Sequence, residues 1–182
     1  MNPASTGPER LPSPSAHQPT ILHAEECVVG VPIRMIGNIL FPKLAAGDGE
    51  TPISVLQNTI SAKNGPPLHA HPFEEFFYIL DETFLFEIGG SAVQAAPGDF
   101  LHVPGNVPHV FQNTSDREGK VLLIARPGGV EKYFAEVAAQ SVQDPKNVAA
   151  LQAIGLPYGI RIMGPPIAAR DHAGMMQPPQ RS

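Results

Sequence analysis

Four side chains of the kind that bind metal ions lie near the middle of the chain. His69 and His71 are two residues apart beside a probable strand, where side chains at i and i+2 point to the same face. A tight corner at 72–73 would aim Glu75 at the same point, and His109 begins the run HVFQN after a turn-rich segment. Imidazoles with a carboxylate suit a borderline divalent metal such as Fe, Mn, Ni, Cu or Zn. We therefore predict one divalent transition metal ion per chain, with open coordination positions for water, substrate or dioxygen.

The same residue types also have ordinary structural roles. A lone buried histidine is usually hydrogen-bonded within the core, and we predict this for His102. Glu74 and Glu75 are adjacent, so only one of them can face inward from a strand. An H-x-H pair alone is a weak signal, whereas the combination of four residues is more specific. The other histidines fall in or near the predicted tails, where we expect them to be solvated: His17, His23 and His172.

Short apolar runs separated by Gly, Pro, Asn and Asp must position these side chains. Their β-branched and aromatic content predicts many short antiparallel strands, and therefore a sandwich or barrel. Gly89-Gly90 predicts a hairpin, and Pro97-Gly98-Asp99 predicts another turn. The predicted strand runs are VVGVPIRMI, PISVLQNTI, EEFFYILD, FLFEIGG, SAVQAA, DFLHVP, HVFQNT and KVLLIARPG.

Two helices are predicted after the strands. From Val130, apolar residues recur at i, i+3, i+4 and i+7, which is the period of one helix face. Asp144-Pro145 predicts the start of the second helix, with Asp as N-cap and Pro at the first helical position. Gly155 is a natural end for that helix. We expect both helices to pack on the outside of the β domain.

Composition excludes several classes of protein. The 182-residue chain has a formal net charge of −5 and scattered basic residues, which gives no electrostatic basis for binding nucleic acid. No apolar run reaches the roughly 18 residues of a membrane span. Cys27 is the single cysteine and the first residues do not form a secretory signal, so we predict a cytoplasmic protein. The run from Glu75 to Leu80 is apolar on both faces, which predicts a homodimer that covers part of one sheet.

Two stretches of the chain resemble the two conserved motifs of the cupin superfamily. They are GPPLHAHPFEEFFYILDETFLFEIGG, which carries His69, His71 and Glu75, and GDFLHVPGNVPHVFQN, which carries His109. Gly98, Pro104 and Asn113 also fall at the spacing of the second motif. Two softer matches, PGGVEKYFAEVA and YGIRIMGPPI, resemble the end of single-domain bacterial cupins described as quercetin 2,3-dioxygenase-like.

This resemblance implies an all-β fold, the double-stranded β-helix or cupin jelly-roll barrel, with one or two C-terminal helices. It also implies that His69, His71, Glu75 and His109 bind the metal inside the barrel. The predicted segments are a disordered tail at 1–22, the barrel at 23–128, a helical segment with a short extension at 129–170, and a second disordered tail at 171–182.

The sequence departs from the motifs at three positions where the family has glycine. Glu82 follows the first motif strand, so we expect a different turn type there. Asn106 is a mild change because asparagine tolerates the left-handed region. Lys63 stands where a glycine precedes the histidine pair, with Gly65 two residues later. None of these changes removes a predicted ligand.

The resemblance implies a metal-dependent dioxygenase that acts on a small aromatic or enol substrate, for a flavonol by ring cleavage with loss of carbon monoxide. Glu75 is predicted to act as ligand and as the catalytic base that takes the substrate proton. Two alternatives stay open, a non-oxidative isomerase or decarboxylase and a non-catalytic module that binds a small molecule. Asn113 is predicted to support a turn. Strand parity predicts that the substrate cavity is lined by Phe73, Phe77, Ile79 and Phe111.

Overall fold

A computed structural model of the chain describes residues 21–28, 30–46, 52–142, 144 and 147–170. Almost all of both predicted tails lies outside these residues. Within them the chain forms two antiparallel sheets that face each other, followed by two α-helices. This is the all-β jelly roll with C-terminal helices that the sequence predicts.

The first sheet has six strands in the order β1-β2-β3-β10-β5-β8. The second sheet has five strands in the order β11-β4-β9-β6-β7. The strands are β1 Ile33–Met35, β2 Asn38–Leu44, β3 Ser54–Ile60, β4 Leu68–Ala70, β5 Glu74–Asp81, β6 Phe84–Ile88, β7 Ser91–Ala95, β8 Phe100–Val103, β9 His109–Asn113, β10 Gly119–Arg126 and β11 Arg161–Gly164.

All eight predicted runs contain a strand, but β2 and β11 were not predicted. Pro42 lies inside β2, and proline disfavours a strand because it cannot donate to the ladder. The structure accommodates Pro42 because the pairing of β1 with β2 ends at Leu40. The β2–β3 register also shifts between Pro42 and Leu44. β11 has only four residues, too few to show a period.

The inner faces of the two sheets share one apolar core, in which aromatic rings meet edge to face. Phe77 of the first sheet lies 5.2 Å from Phe86 and 5.6 Å from Phe111 of the second, between ring centroids. Burying such pairs in favourable geometry holds the sheets together.

The outer face of the first sheet keeps exposed apolar side chains. Tyr78 and Leu80 on β5 are 41% and 42% exposed, and Phe100 on the neighbouring edge strand β8 is 60% exposed. Strand β5 therefore has apolar side chains on both of its faces, as the sequence predicts. That a second copy of the chain covers this face stays a prediction, as does the cytoplasmic location.

The tight turns follow the predicted chemistry with one correction. Gly89 and Gly90 form the two-residue β6–β7 loop with positive φ at both positions. Asn106 adopts the left-handed conformation at φ 64°. Glu82 was expected to require another turn type, but it adopts the left-handed conformation itself at φ 65°. Its exposed backbone N–H is held by the Asp81 carboxylate at 3.1 Å, which offsets part of the strain.

The C-terminal segment packs against β1 and β3 and adds the strand β11 to the second sheet. Helix α1 spans Val130–Ala139, as the apolar period predicts, and α2 spans Val148–Gly155. The predicted start of α2 at Asp144 is wrong, because the N-cap is Asn147, whose side chain accepts from the Ala150 N–H at 3.2 Å. Short 3-10 turns at Leu156–Tyr158 and Ile167–Ala169 flank β11.

This segment is not a separate appendage. β11 pairs with β4 and so extends the second sheet, although the predicted boundary at 128/129 set the extension apart from the barrel. At its beginning, the Gly129 N–H donates to Ser54 Oγ at 2.7 Å, and that hydroxyl donates to Glu131 in the first turn of α1. In the described part of the chain, no helix has the length and apolar character to cross a membrane.

Candidate metal centre

The four predicted ligands meet between the two sheets. His69 on β4 lies directly opposite His109 on β9 in the second sheet. His71 follows the end of β4, and Glu75 projects inward from the start of β5 in the first sheet. One ligand atom from each of the four lies within 4.8 Å of the others, and three of the residues are buried. The four residues predicted from the sequence therefore do form one cluster.

Backbone carbonyls orient all three imidazoles in the same way. His69 Nδ1 lies 2.8 Å from the Pro67 carbonyl, His71 Nδ1 2.9 Å from that of Phe73, and His109 Nδ1 2.9 Å from that of Val107. A carbonyl oxygen only accepts hydrogen bonds, so in each neutral ring Nδ1 carries the proton. The lone pair is then on Nε2, the tautomer a metal requires, fixed by the bond that the other nitrogen makes.

The Glu75 carboxylate sits where these lone pairs converge. Its Oε2 is 3.1 Å from His109 Nε2 and 3.3 Å from His71 Nε2, and the carboxyl is buried. His71 Nε2 has no hydrogen-bond partner although it is buried. Lone pairs facing a carboxylate in a buried site repel unless a cation lies among them. The residues therefore fit a divalent metal ion. The buried His71 Nε2 atom, which has no other partner, would be one of the ion's ligands.

The pKa values follow from burial and from these contacts. Burial is the largest cause that lowers the pKa of His69, to about 3. Burial by itself would raise the pKa of Glu75, but the adjacent imidazoles of His109 and His71 hold it below its ordinary value. Burial opposes the charged form of His109, yet the hydrogen bond to Glu75 raises its pKa. At neutral pH the cluster thus presents an ionised Glu75 carboxylate beside the neutral His69 imidazole, which favours binding of a cation.

A cavity of about 80 Å³ opens beside the cluster. His69, His71 and Glu75 form its polar wall. The predicted lining residues Phe73, Phe77 and Phe111 do line it. Phe73 also stacks on His71 with ring centroids 3.7 Å apart, so it holds that ligand in orientation.

Ile79 is fully buried but is not among the residues that line this cavity. It lies one inward position beyond Phe77 on β5, behind the aromatic layer, where it contributes to the core. Strand parity finds the inward face of a strand, and it does not find the depth at which an inward side chain meets the cavity.

The C-terminal segment supplies much of the remaining wall, which sequence reasoning missed. Val130, Tyr133 and Phe134 of α1 and Leu151 of α2 line the cavity. Burial raises the pKa of Tyr133 to about 12. The apolar period of α1 predicts a buried face, but nothing in it indicates that this face closes a ligand cavity.

The predicted role of His102 in the core is wrong, whereas the predicted role of Asn113 in supporting a turn agrees with the structure. His102 was expected in the core, but it lies on the outer face of β8 with its side chain 43% exposed. It stacks on Phe76 at 4.7 Å, because alternation along β8 directs Leu101 and Val103 inward instead. Asn113 is fully buried and donates to the carbonyls of Ile60, Ser61 and Arg117, so it organises the turns that follow β3 and β9.

Fold and site together define a small jelly-roll barrel with a histidine-carboxylate cluster between its sheets. Residues 59–125 match the family described as "Cupin domain". This stretch is about a third of the chain and contains all four residues of the cluster, and it is what makes the chain similar to that family.

Among curated proteins, the chain is 36% identical over 67 residues to quercetin 2,3-dioxygenase of Bacillus subtilis (strain 168). That match covers 36% of this chain and only 20% of the relative, so the chain spans about a fifth of that protein's length.

One of the similar solved structures supports the fold. The polyketide cyclase RemF from Streptomyces resistomycificus superposes with a TM-score of 0.51 at 18% identity, covering 60% of this chain and 80% of that one. An RmlC-like cupin from Shewanella frigidimarina gives a TM-score of 0.46 at 15% identity over 53% of this chain and 82% of that one. At these identities the likeness concerns the fold alone.

Proposed function

We propose that the protein is a metal-dependent dioxygenase that acts on a small enol or phenol. The observation that carries the proposal is the convergence of three imidazoles and a buried carboxylate at the wall of a mainly apolar cavity. The local similarity to a quercetin 2,3-dioxygenase supports oxygen chemistry over other reactions of metal-binding barrels.

His69, His71, Glu75 and His109 would hold the metal. When bound there, a divalent transition metal would supply Lewis-acid activation of a substrate hydroxyl and redox chemistry toward dioxygen. The reaction needs no external reductant, because both oxygen atoms enter the products.

The chain's own residues then bind, orient and move a proton. Glu75 is ionised at neutral pH and its carboxylate is the nearest acceptor for the proton that leaves the substrate hydroxyl. The stacked Phe73 ring and the rings of Phe77 and Phe111 exclude water from the substrate's apolar body.

The cavity limits the size of the substrate. Its volume of about 80 Å³ is well below the roughly 300 Å³ at which pockets for drug-sized ligands begin. We therefore propose a one-ring or acyclic enol in preference to a three-ring flavonol.

Oxygen uptake after reconstitution with each metal tests this proposal. Purified protein, freed of metal and loaded in turn with Fe, Mn, Ni, Cu or Zn, is offered a panel of phenols and enols with quercetin included. We expect uptake with at least one redox-active metal and a compact substrate, and loss of uptake in Glu75→Gln. Glu74→Gln is the matched control, since the neighbouring carboxylate faces outward and pairs with Arg126 at 2.9 Å.

The products decide between the proposal and its alternatives. Substrate conversion without oxygen uptake would identify an isomerase or decarboxylase. Stoichiometric metal and ligand binding without any conversion would identify a binding module. Absence of bound metal in the wild-type protein under every loading would remove both enzymatic alternatives and leave only the binding module.

A further inference from the structure

Two unpaired polar atoms line the cavity, and the metal centre explains only one of them. Among the described residues, the buried side-chain atoms without a hydrogen-bond partner belong to Asn58, His71, Glu131 and Arg170. Of these, only Asn58 and His71 line the cavity. His71 Nε2 is directed at the metal centre, whereas Asn58 Oδ1 has no role in that site.

Asn58 is an exceptional residue for its position. It faces inward from β3 between Leu40 of β2 and Val121 of β10, and it is only 6% exposed. An amide buried without a partner destabilises the folded state, and an apolar residue would be the expected choice in this row of the sheet. Asn38, which also lines the cavity, differs because its Oδ1 accepts from Asn64 Nδ2 at 3.0 Å.

The strand register places Asn58 far from the metal ligands. Val121 on β10 pairs with Asn58, and Ala125 on the same strand pairs with Glu75. Four residues along a strand correspond to about 13 Å. Asn58 therefore cannot reach the coordination sphere, and it marks the opposite end of the same cavity.

We propose that Asn58 determines substrate specificity by accepting a hydrogen bond from a hydroxyl at the end of the ligand remote from the metal. This inference rests on the proposed function, since the metal centre holds the other end. Neither lysine nor arginine occurs among the described residues that line the cavity, so this distal group is neutral. The substrate class is an elongated, uncharged one-ring phenol or enol with a second hydroxyl.

A pair of ligands that differ only in that hydroxyl tests the inference. The full chain is loaded with Zn, which binds without redox turnover, and titrated calorimetrically with 2-(4-hydroxyphenyl)ethanol and with 4-ethylphenol. We expect the wild-type protein to prefer the first ligand by about 10-fold to 100-fold, the usual effect of pairing a buried polar group. Asn58→Leu should bind both ligands equally while its affinity for 4-ethylphenol is retained.

Measuring the stability of Asn58→Leu shows whether Asn58 serves to bind the ligand or to stabilise the fold. Asn58→Leu removes the unpaired amide and keeps the branched shape of the side chain, and the cavity beside it can take the slightly larger group, so the urea midpoint should stay the same or rise. A large fall in that midpoint would assign Asn58 to the fold instead, and Asn58→Ala then provides the binding comparison. Asn38→Ala is the matched control and should keep the preference, since the Asn38 acceptor is already paired.

The outcomes also separate this inference from the proposed function. Equal affinity for the two ligands in the wild-type protein, no binding of either, or an unchanged preference in Asn58→Leu would overturn the role of Asn58. Metal content and oxygen uptake are measured on the same preparations. Failure of these two with an intact hydroxyl preference would overturn the dioxygenase and leave a specific binding site.

Discussion

The two ends of the cavity are built in different ways. At the metal end, residues close together in the sequence, His69 to Glu75, meet His109 across one strand pairing. The rest of the wall, which we name the closed end, comes from the first strands and from the C-terminal helices, which are remote in the chain from each other. The metal end is polar and rigidly hydrogen-bonded, whereas the closed end is apolar apart from its amides.

Because of this difference, the residues that would bind the metal are separate from the residues that shape the space for a ligand. Three backbone carbonyls fix the imidazoles, so the metal end can be set by the local chain and kept unchanged. The closed end depends on how α1 and α2 pack on the barrel, and replacing its side chains alters the space without touching the ligands. Under the proposed function, replacing side chains of the closed end would change the substrate without changing the reaction.

Removing one ligand should have the largest effect. In His109→Ala, loss of the imidazole leaves three donors and an uncompensated Glu75 carboxylate. We expect metal affinity to fall by more than the roughly 10–100-fold that loss of a supporting hydrogen bond causes. Metal content by mass spectrometry and calorimetry measures it. His102→Ala is the control, since that exposed side chain lies outside the cluster. Equal metal content in both variants would refute the assigned ligand set.

Opening the closed end should cost stability and leave the metal in place. Leu151 on α2 is 1% exposed and lines the cavity. Leu151→Ala is expected to lower the free energy of unfolding by about 2–5 kcal/mol, through lost burial and the enlarged cavity. Urea denaturation measures this change. Leu156→Ala, at a leucine 61% exposed, should change stability by less than about 0.5 kcal/mol. A weakened metal affinity in Leu151→Ala would show that the two ends are coupled.

Metal should stabilise the fold through the metal end alone. At a free concentration about 100 times the dissociation constant, binding adds about 2.7 kcal/mol to the free energy of unfolding. For a chain of this size that corresponds to a rise in Tm of roughly 5–10 °C. Addition of a chelator should reverse the rise. If His109→Ala gained the same increase on adding metal, the ion would be binding elsewhere.

Sequence reasoning reached the metal end because strand parity and motif spacing are local. His69, His71 and Glu75 lie within seven residues of the chain. The spacing of the second motif then identifies His109 as the fourth predicted ligand. The closed end depends on which distant segments pack together, and no local period contains that information. β11, Asn58 and the position of Tyr133 in the cavity wall were therefore not predicted, although the helix period does place Tyr133 on the buried face of α1. His102 and Ile79 show the same limit within strands, since periodicity does not give the depth of a side chain or which face lies inward.

The smallest expected effect tests burial at the closed end. Tyr133 is 7% exposed, and burial raises its pKa to about 12 from an ordinary value of 10.0. The unfolded chain ionises first, so the stability contributed by the neutral phenol is present below pH 10 and is lost as pH rises toward 12. At pH 11 the wild-type protein should have lost about 1 kcal/mol more than Tyr133→Phe, each relative to its own value at pH 8. Urea denaturation at both pH values measures the difference.

Tyr78→Phe, at a tyrosine 41% exposed, is the matched control and should follow the wild-type protein. If Tyr133→Phe also followed the wild-type protein, the Tyr133 hydroxyl would be in contact with water, and α1 would not close the cavity.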